Sequence, residues 1–231
     1  MTRYRFGGTA DAGPEDLVTP FGITVPLTCW EGDPAVTPSM LMDVRCGDAL
    51  GHPVRVLRAM PLVERRVIVF DSGLGILPAI ATRMRADRVI AFEADLLSVE
   101  IMKRVFAVNG LGAEPIHGRV GWTDSALLPN LRLSSDIGPV PIYNLQLILE
   151  EEAIDMVVAT AGRTDPLLLR GLPQTVNSVL IHGGSAEAPH AARDLMMTHL
   201  IADRFFYDPS VSEGDALLFR REAQSTAAAA G

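Results

Sequence analysis

Residues 66–75 read RVIVFDSGLG, and this stretch constrains the fold more than any other. Val67, Ile68, Val69 and Phe70 form a short, β-branched apolar run bounded by charge, the composition of a strand buried on both faces. The run ends in Asp71, and a Ser-Gly-Leu-Gly turn follows. Ile76 to Ala81 then has helical spacing, with Pro78 in the first turn, where a missing N–H costs little. Glycines in such a turn let backbone approach a ligand where a side chain would clash. Strand, acid, Gly-x-Gly and helix together open an α/β domain that binds a nucleotide or nucleoside.

The 231 residues, 48% hydrophobic and 21% charged, suffice for one compact domain with a small N-terminal addition. A formal net charge of −8 argues against a general nucleic-acid binder, which needs a basic face for phosphates. Cys29 and Cys46 form no metal-like cluster and read as reduced thiols, and no histidine pair has metal-site spacing. No charged-then-apolar leader opens the chain, and no apolar run approaches the roughly 20 residues of a membrane span. The expectation is a soluble cytoplasmic protein with no membrane contact.

Residues 1–20 read as an arm rich in Gly and Pro, 21–27 as an edge strand limited by Pro26, and 39–44 and 53–62 as helices. A second buried strand, RVIAFE, ends in Glu93. A helix beginning at Asp95 carries Leu97, Ile101, Val105 and Val108 on one face and stops at Asn109-Gly110. Further strands are expected at 114–118, 154–160 and 177–182, with helices at 146–152, 165–172 and 186–203. Residues 204–207 and 216–220 bracket a polar loop as an antiparallel hairpin. The sum is a doubly wound, mostly parallel seven-stranded sheet with a C-terminal antiparallel hairpin. It divides into an arm and helical cap over 1–64, a cofactor-binding domain over 65–222 and a small-residue tail over 223–231.

Glu93 lies 22 positions after Asp71 (93 − 71), where folds of this kind hold ribose hydroxyls, because a carboxylate can accept from both. A dinucleotide fingerprint needs a third glycine, and Pro78 stands there, so that pattern fails. An NAD-linked oxidoreductase is therefore disfavoured, and the hairpin points the same way.

The acid directly before SGLG matches methyltransferase motif I, with Leu77 in place of its third glycine. Residues 89–111, VIAFEADLLSVEIMKRVFAVNGL, and the order VPIYNL, acidic helix, IDMVV, DPLLLRGL over 140–172 resemble the FkbM-type methyltransferases. The resemblance covers roughly 65–183. It implies that Asp71, Gly73 and Gly75 line the methionine and ribose part of S-adenosylmethionine. It implies that Glu93 holds the ribose hydroxyls, with Ala94 and Asp95 beside the adenosine. Gly118, Arg119 and Val120 follow the third strand, where related folds contact adenine.

One departure bears on catalysis. Where that family's fourth strand ends in K-x-D-x-E-G, this chain has Val158, Thr160, Gly162 and Arg163. Asp165 matches a later acid, and His182 stands where the family has an acid on the fifth strand. Methyl transfer to a hydroxyl needs alignment of the nucleophile and a proton acceptor. Thr160, Asp165 and His182 are the catalytic candidates at the mouth of the sheet. The resemblance implies O-methylation of a small molecule or sugar. The alternative is a methyltransferase-like binding or regulatory protein without turnover, which the replaced fourth-strand acids favour. Pairing as a homodimer stays open.

Overall fold

The computed structural model describes residues 17–26, 50–122, 140–183 and 190–221. Cys29, Trp30, Cys46 and the expected helix at 39–44 lie outside them. A short antiparallel ribbon opens the described chain, β1 (Leu17–Val18) against β2 (Thr24–Val25). Then come α1 (Gly51–Ala59), β3 (Arg66–Val69), α2 (Ile76–Arg83), β4 (Arg88–Glu93), α3 (Leu96–Val108), β5 (Glu114–His117), β6 (Arg119–Gly121) and β7 (Ile142–Asn144). They are followed by α4 (Leu145–Glu151), β8 (Met156–Ala161), β9 (Ser178–Gly183), α5 (His190–Ala202), β10 (Phe205–Tyr207) and β11 (Ala216–Arg221).

Seven strands form the main sheet in the order β10-β11-β9-β8-β3-β4-β5. Strands β9, β8, β3, β4 and β5 are parallel, and at one edge β11 runs antiparallel between β9 and β10. This is a Rossmann-like, doubly wound α/β sheet, with the C-terminal hairpin where the sequence placed it. Successive strand residues feed opposite faces, as the period of two demands. Val67, Val69, Val89, Ala91 and Met156 face a layer made by α1, α2 and α3. Ile68, Phe70, Ile90, Phe92 and Val157 face the layer made by α4 and α5.

Three expected elements are corrected, and one pair of strands is additional. Helix α1 ends at Ala59 rather than Leu62, because Met60 precedes Pro61 and adopts an extended backbone (φ −89°, ψ 145°). The expected helix at 165–172 is one 3₁₀ turn, Pro166–Leu169, capped by the Asp165 carboxylate on the Leu167 N–H at 2.9 Å. Among the described residues of the expected edge strand, Thr24–Val25 alone is paired in the ribbon. The chain after β5 adds a two-stranded parallel sheet, β6 with β7, which the sequence reading lacked. Helix α3 does begin at Asp95, whose Oδ2 accepts from the Ser98 N–H at 2.7 Å. At its other end the Asn109 amide bonds the Thr24 backbone in both directions, tying the ribbon to the helix.

Candidate functional site

The chain runs from β3 outward to β5, then returns to β8 on the other side of β3. The crevice between the carboxyl ends of β3 and β8 is thus the switch point where ligands of open α/β sheets bind.

The turn after β3 is tight because three of its five residues have left-handed backbone: Asp71 (φ 49°), Gly73 (φ 54°) and Gly75 (φ 80°). The two glycines differ in purpose. A Cβ on Gly75 would stand 2.4 Å from Met102 Cγ, so its missing side chain makes room for α3. A Cβ on Gly73 would meet only Arg163 Nη1, at 3.7 Å, so Gly73 faces the crevice.

Glu93 ends β4 beside this turn, with its side chain 1% exposed. Its Oε2 accepts from the Gly73 N–H at 2.7 Å. Its Oε1 accepts from the N–H groups of Ala94 at 2.9 Å and Asp95 at 3.1 Å. Three backbone donors thus hold a buried charge, which is costly unless so satisfied. The fourth partner is the Arg163 guanidinium, whose Nη2 lies 3.3 Å from Oε2 and 3.4 Å from Oε1. Arg163 comes from the turn after β8, which the left-handed Gly162 (φ 83°) bends back over the crevice.

That same turn carries Thr164, a residue the sequence reading missed. Its hydroxyl donates to Asp71 Oδ2 at 2.7 Å and accepts from the Thr160 N–H at 3.1 Å. The Thr160 hydroxyl and His182 Nε2 are 3.0 Å apart, as β8 and β9 pair these two residues directly. His182 is buried, and burial pushes its imidazole down to about 4; Asp215 and the Gly183 backbone oppose the shift, and Arg163 adds to it. The ring is therefore neutral at pH 7. Asp215 itself bonds His52 Nδ1 at 2.8 Å, an arrangement for which the sequence holds no local signal.

The three catalytic candidates have different fates. Thr160 and His182 are brought together but face inward, on each other. Asp165 is exposed, and its Oδ1 caps the 3₁₀ turn. On the other side, Gly118 closes β5 with its N–H on the Glu93 carbonyl. The Tyr143 ring packs on Gly118 and meets Phe92 edge-on at 5.4 Å. His117 Nε2 bonds the Ala94 carbonyl at 3.1 Å. The Arg119 N–H donates to the Pro141 carbonyl, and the Val120 side chain sits in the core. Tyr143 thus sets an aromatic ring against the end of β5, and sequence reading assigned it no role.

Neither a protein-family model nor a curated protein matches this chain. Solved structures do resemble it. A ribosomal protein L11 methylase from Lactobacillus delbrueckii subsp. bulgaricus is 17% identical, with 74% of this chain and 77% of that one covered and a TM-score of 0.47. A protein of the NADB-Rossmann superfamily from Streptococcus agalactiae is 15% identical over 74% and 68%, with a TM-score of 0.49. M. capricolum TrmK, in complex with S-adenosyl-homocysteine, is 11% identical over 75% and 69%, with a TM-score of 0.46.

Proposed function

We propose that the crevice between β3 and β8 binds S-adenosylmethionine and that the chain is a methyltransferase, acting on oxygen of a small molecule or sugar in the cytoplasm. One observation carries the cofactor reading: a buried carboxylate, Glu93, is fixed by backbone N–H groups at the end of β4, beside a glycine turn open at Gly73. A carboxylate there suits a ribose diol, and the bare backbone at Gly73 suits the amino-acid end of the ligand. Tyr143 offers a flat face for adenine. The cofactor supplies a methyl group activated on a sulfonium. This chain's residues bind and orient it.

A second reading has its own support. Thr160 and His182 bond each other in the interior, and the exposed Asp165 caps the 3₁₀ turn, so each candidate for proton transfer already has a partner within the chain. That arrangement favours a binding or regulatory protein that senses the nucleoside without turnover. The net charge of −8 favours a small acceptor over nucleic acid in either case.

Calorimetry with S-adenosylmethionine, S-adenosylhomocysteine and NAD tests the first claim. Saturable binding of the first two alone is expected; no binding by folded protein removes it. A methyl-acceptor screen on hydroxylated small molecules then separates the two readings. Turnover abolished by Asp165→Ala or His182→Ala, in variants that still bind the cofactor, identifies the transfer site.

A further inference from the structure

We infer that Arg163 is a latch on the ligand site, in competition with the ribose for Glu93. The inference rests on the cofactor reading above and goes beyond it by naming what the ligand must displace.

The geometry leaves little choice. Glu93 is 1% exposed, so no hydroxyl reaches it in this conformation. Three of its four partners are backbone N–H groups of the glycine turn and of the start of α3, and these cannot leave without refolding the turn. The fourth is the tip of a flexible side chain, 51% exposed, with long contacts of 3.3 and 3.4 Å. Arg163 Nη1 also lies over the open position of Gly73. One guanidinium therefore covers both the carboxylate and the bare backbone beside it. The Arg163 end of the pair is exposed and its contacts are long, so it can yield to a ligand. Arg163 swings into solvent, Glu93 keeps its backbone donors, and the ribose hydroxyls take the lone pairs that the guanidinium held. Affinity is then reduced by the fraction of molecules in which the latch is closed.

The test measures affinity for S-adenosylhomocysteine and for adenosine, a neutral ligand, by calorimetry on the full chain. Arg163→Ala and Arg163→Met are expected to bind both about fivefold tighter than wild type, the gain expected from removing a weakly held guanidinium. Raising NaCl to about 1 M screens the pair, so wild-type affinity for adenosine rises while the variants stay flat. This salt arm needs no mutation and stands if a variant fails to fold. Unchanged or weaker binding in both variants, or a wild-type affinity indifferent to salt, overturns the latch and leaves the cofactor reading in place. No binding of either compound by any of the folded proteins overturns both.

Discussion

Thr164 and Asp71 stand 93 positions apart in the chain, and the Thr164 hydroxyl donates to Asp71 Oδ2 over 2.7 Å. This bond ties the turn after β8 to the turn after β3 and steadies Asp71, which has the left-handed backbone that a non-glycine residue seldom adopts. Thr164→Val keeps the shape and removes this bond together with the one its hydroxyl accepts from the Thr160 N–H. A hydrogen bond to a charged group contributes about 1.5–3 kcal/mol, so a loss of that size is expected in urea unfolding, with Thr164→Ser close to wild type. Equal stability of the valine variant would show that the two turns are not coupled through this pair.

The two glycines of the turn separate packing from ligand access. Gly75→Ala meets both a left-handed backbone (φ 80°) and Met102 at 2.4 Å. Gly73→Ala meets the backbone cost alone, since its Cβ has room. The cost of left-handed backbone is about 1–2 kcal/mol, and overpacking adds about 1–3 kcal/mol. Gly75→Ala should therefore melt well below Gly73→Ala. Gly73→Ala should remain folded and lose nucleoside affinity instead. A reversed order of melting temperatures would contradict this assignment.

His182 makes stability depend on pH in a defined direction. Its folded imidazole titrates at about 4, below the ordinary 6.5, chiefly because it is buried. Between these values the unfolded chain takes up a proton that the folded chain refuses. Stability is therefore full above about 6.5 and falls as the pH falls through the window toward 4. The lost stability reaches roughly 2–3 kcal/mol from this group. His182→Gln should flatten that part of the curve in denaturant titrations at stepped pH. A parallel curve for the variant would mean that the acid sensitivity lies elsewhere.

The parts of this molecule that were legible in sequence are those in which neighbouring residues carry the signal. The runs at Val67 to Phe70 and Val89 to Phe92 are apolar on both faces because both helix layers cover them, and they mark their strands directly. The end of α1 was also written in the chain, in Pro61, but the apolar Leu62 beyond it mimicked a continued helical face. The 3₁₀ turn was hidden for another reason. Leu167, Leu168 and Leu169 give an apolar run too short to fix a period, and the Asp165 cap serves either kind of helix. Strands β6 and β7, three residues each, contain less than two alternations. The latch was the least legible feature. Glu93 could be placed from its spacing, but Arg163 reaches it from 70 positions away, through a bend set by Gly162. Pairing of that kind depends on where two turns meet in space, and no local pattern encodes it.

Glu93→Gln probes the carboxylate without changing its volume. The folded site presents three backbone N–H donors to two charged oxygens. A glutamine has one carbonyl oxygen and an NH₂ group, so at least one side of this arrangement would set donor against donor. If the carbonyl faces Ala94 and Asp95, the Gly73 N–H loses its acceptor, and the opposite rotamer strands the other two. A buried donor left unsatisfied costs about 1–3 kcal/mol, and that loss is expected in thermal or urea unfolding. Binding should fall by more than stability explains, since the acceptor for the ribose diol is lost as well. Calorimetry on the folded variant should show nucleoside affinity reduced by at least about tenfold, a difference of roughly 1.4 kcal/mol. The contrast with Arg163→Ala carries the argument: one partner of the same ion pair weakens binding when replaced, and the other strengthens it. If both replacements weaken binding alike, the pair serves as a structural clamp on the turn, and the ribose is held elsewhere.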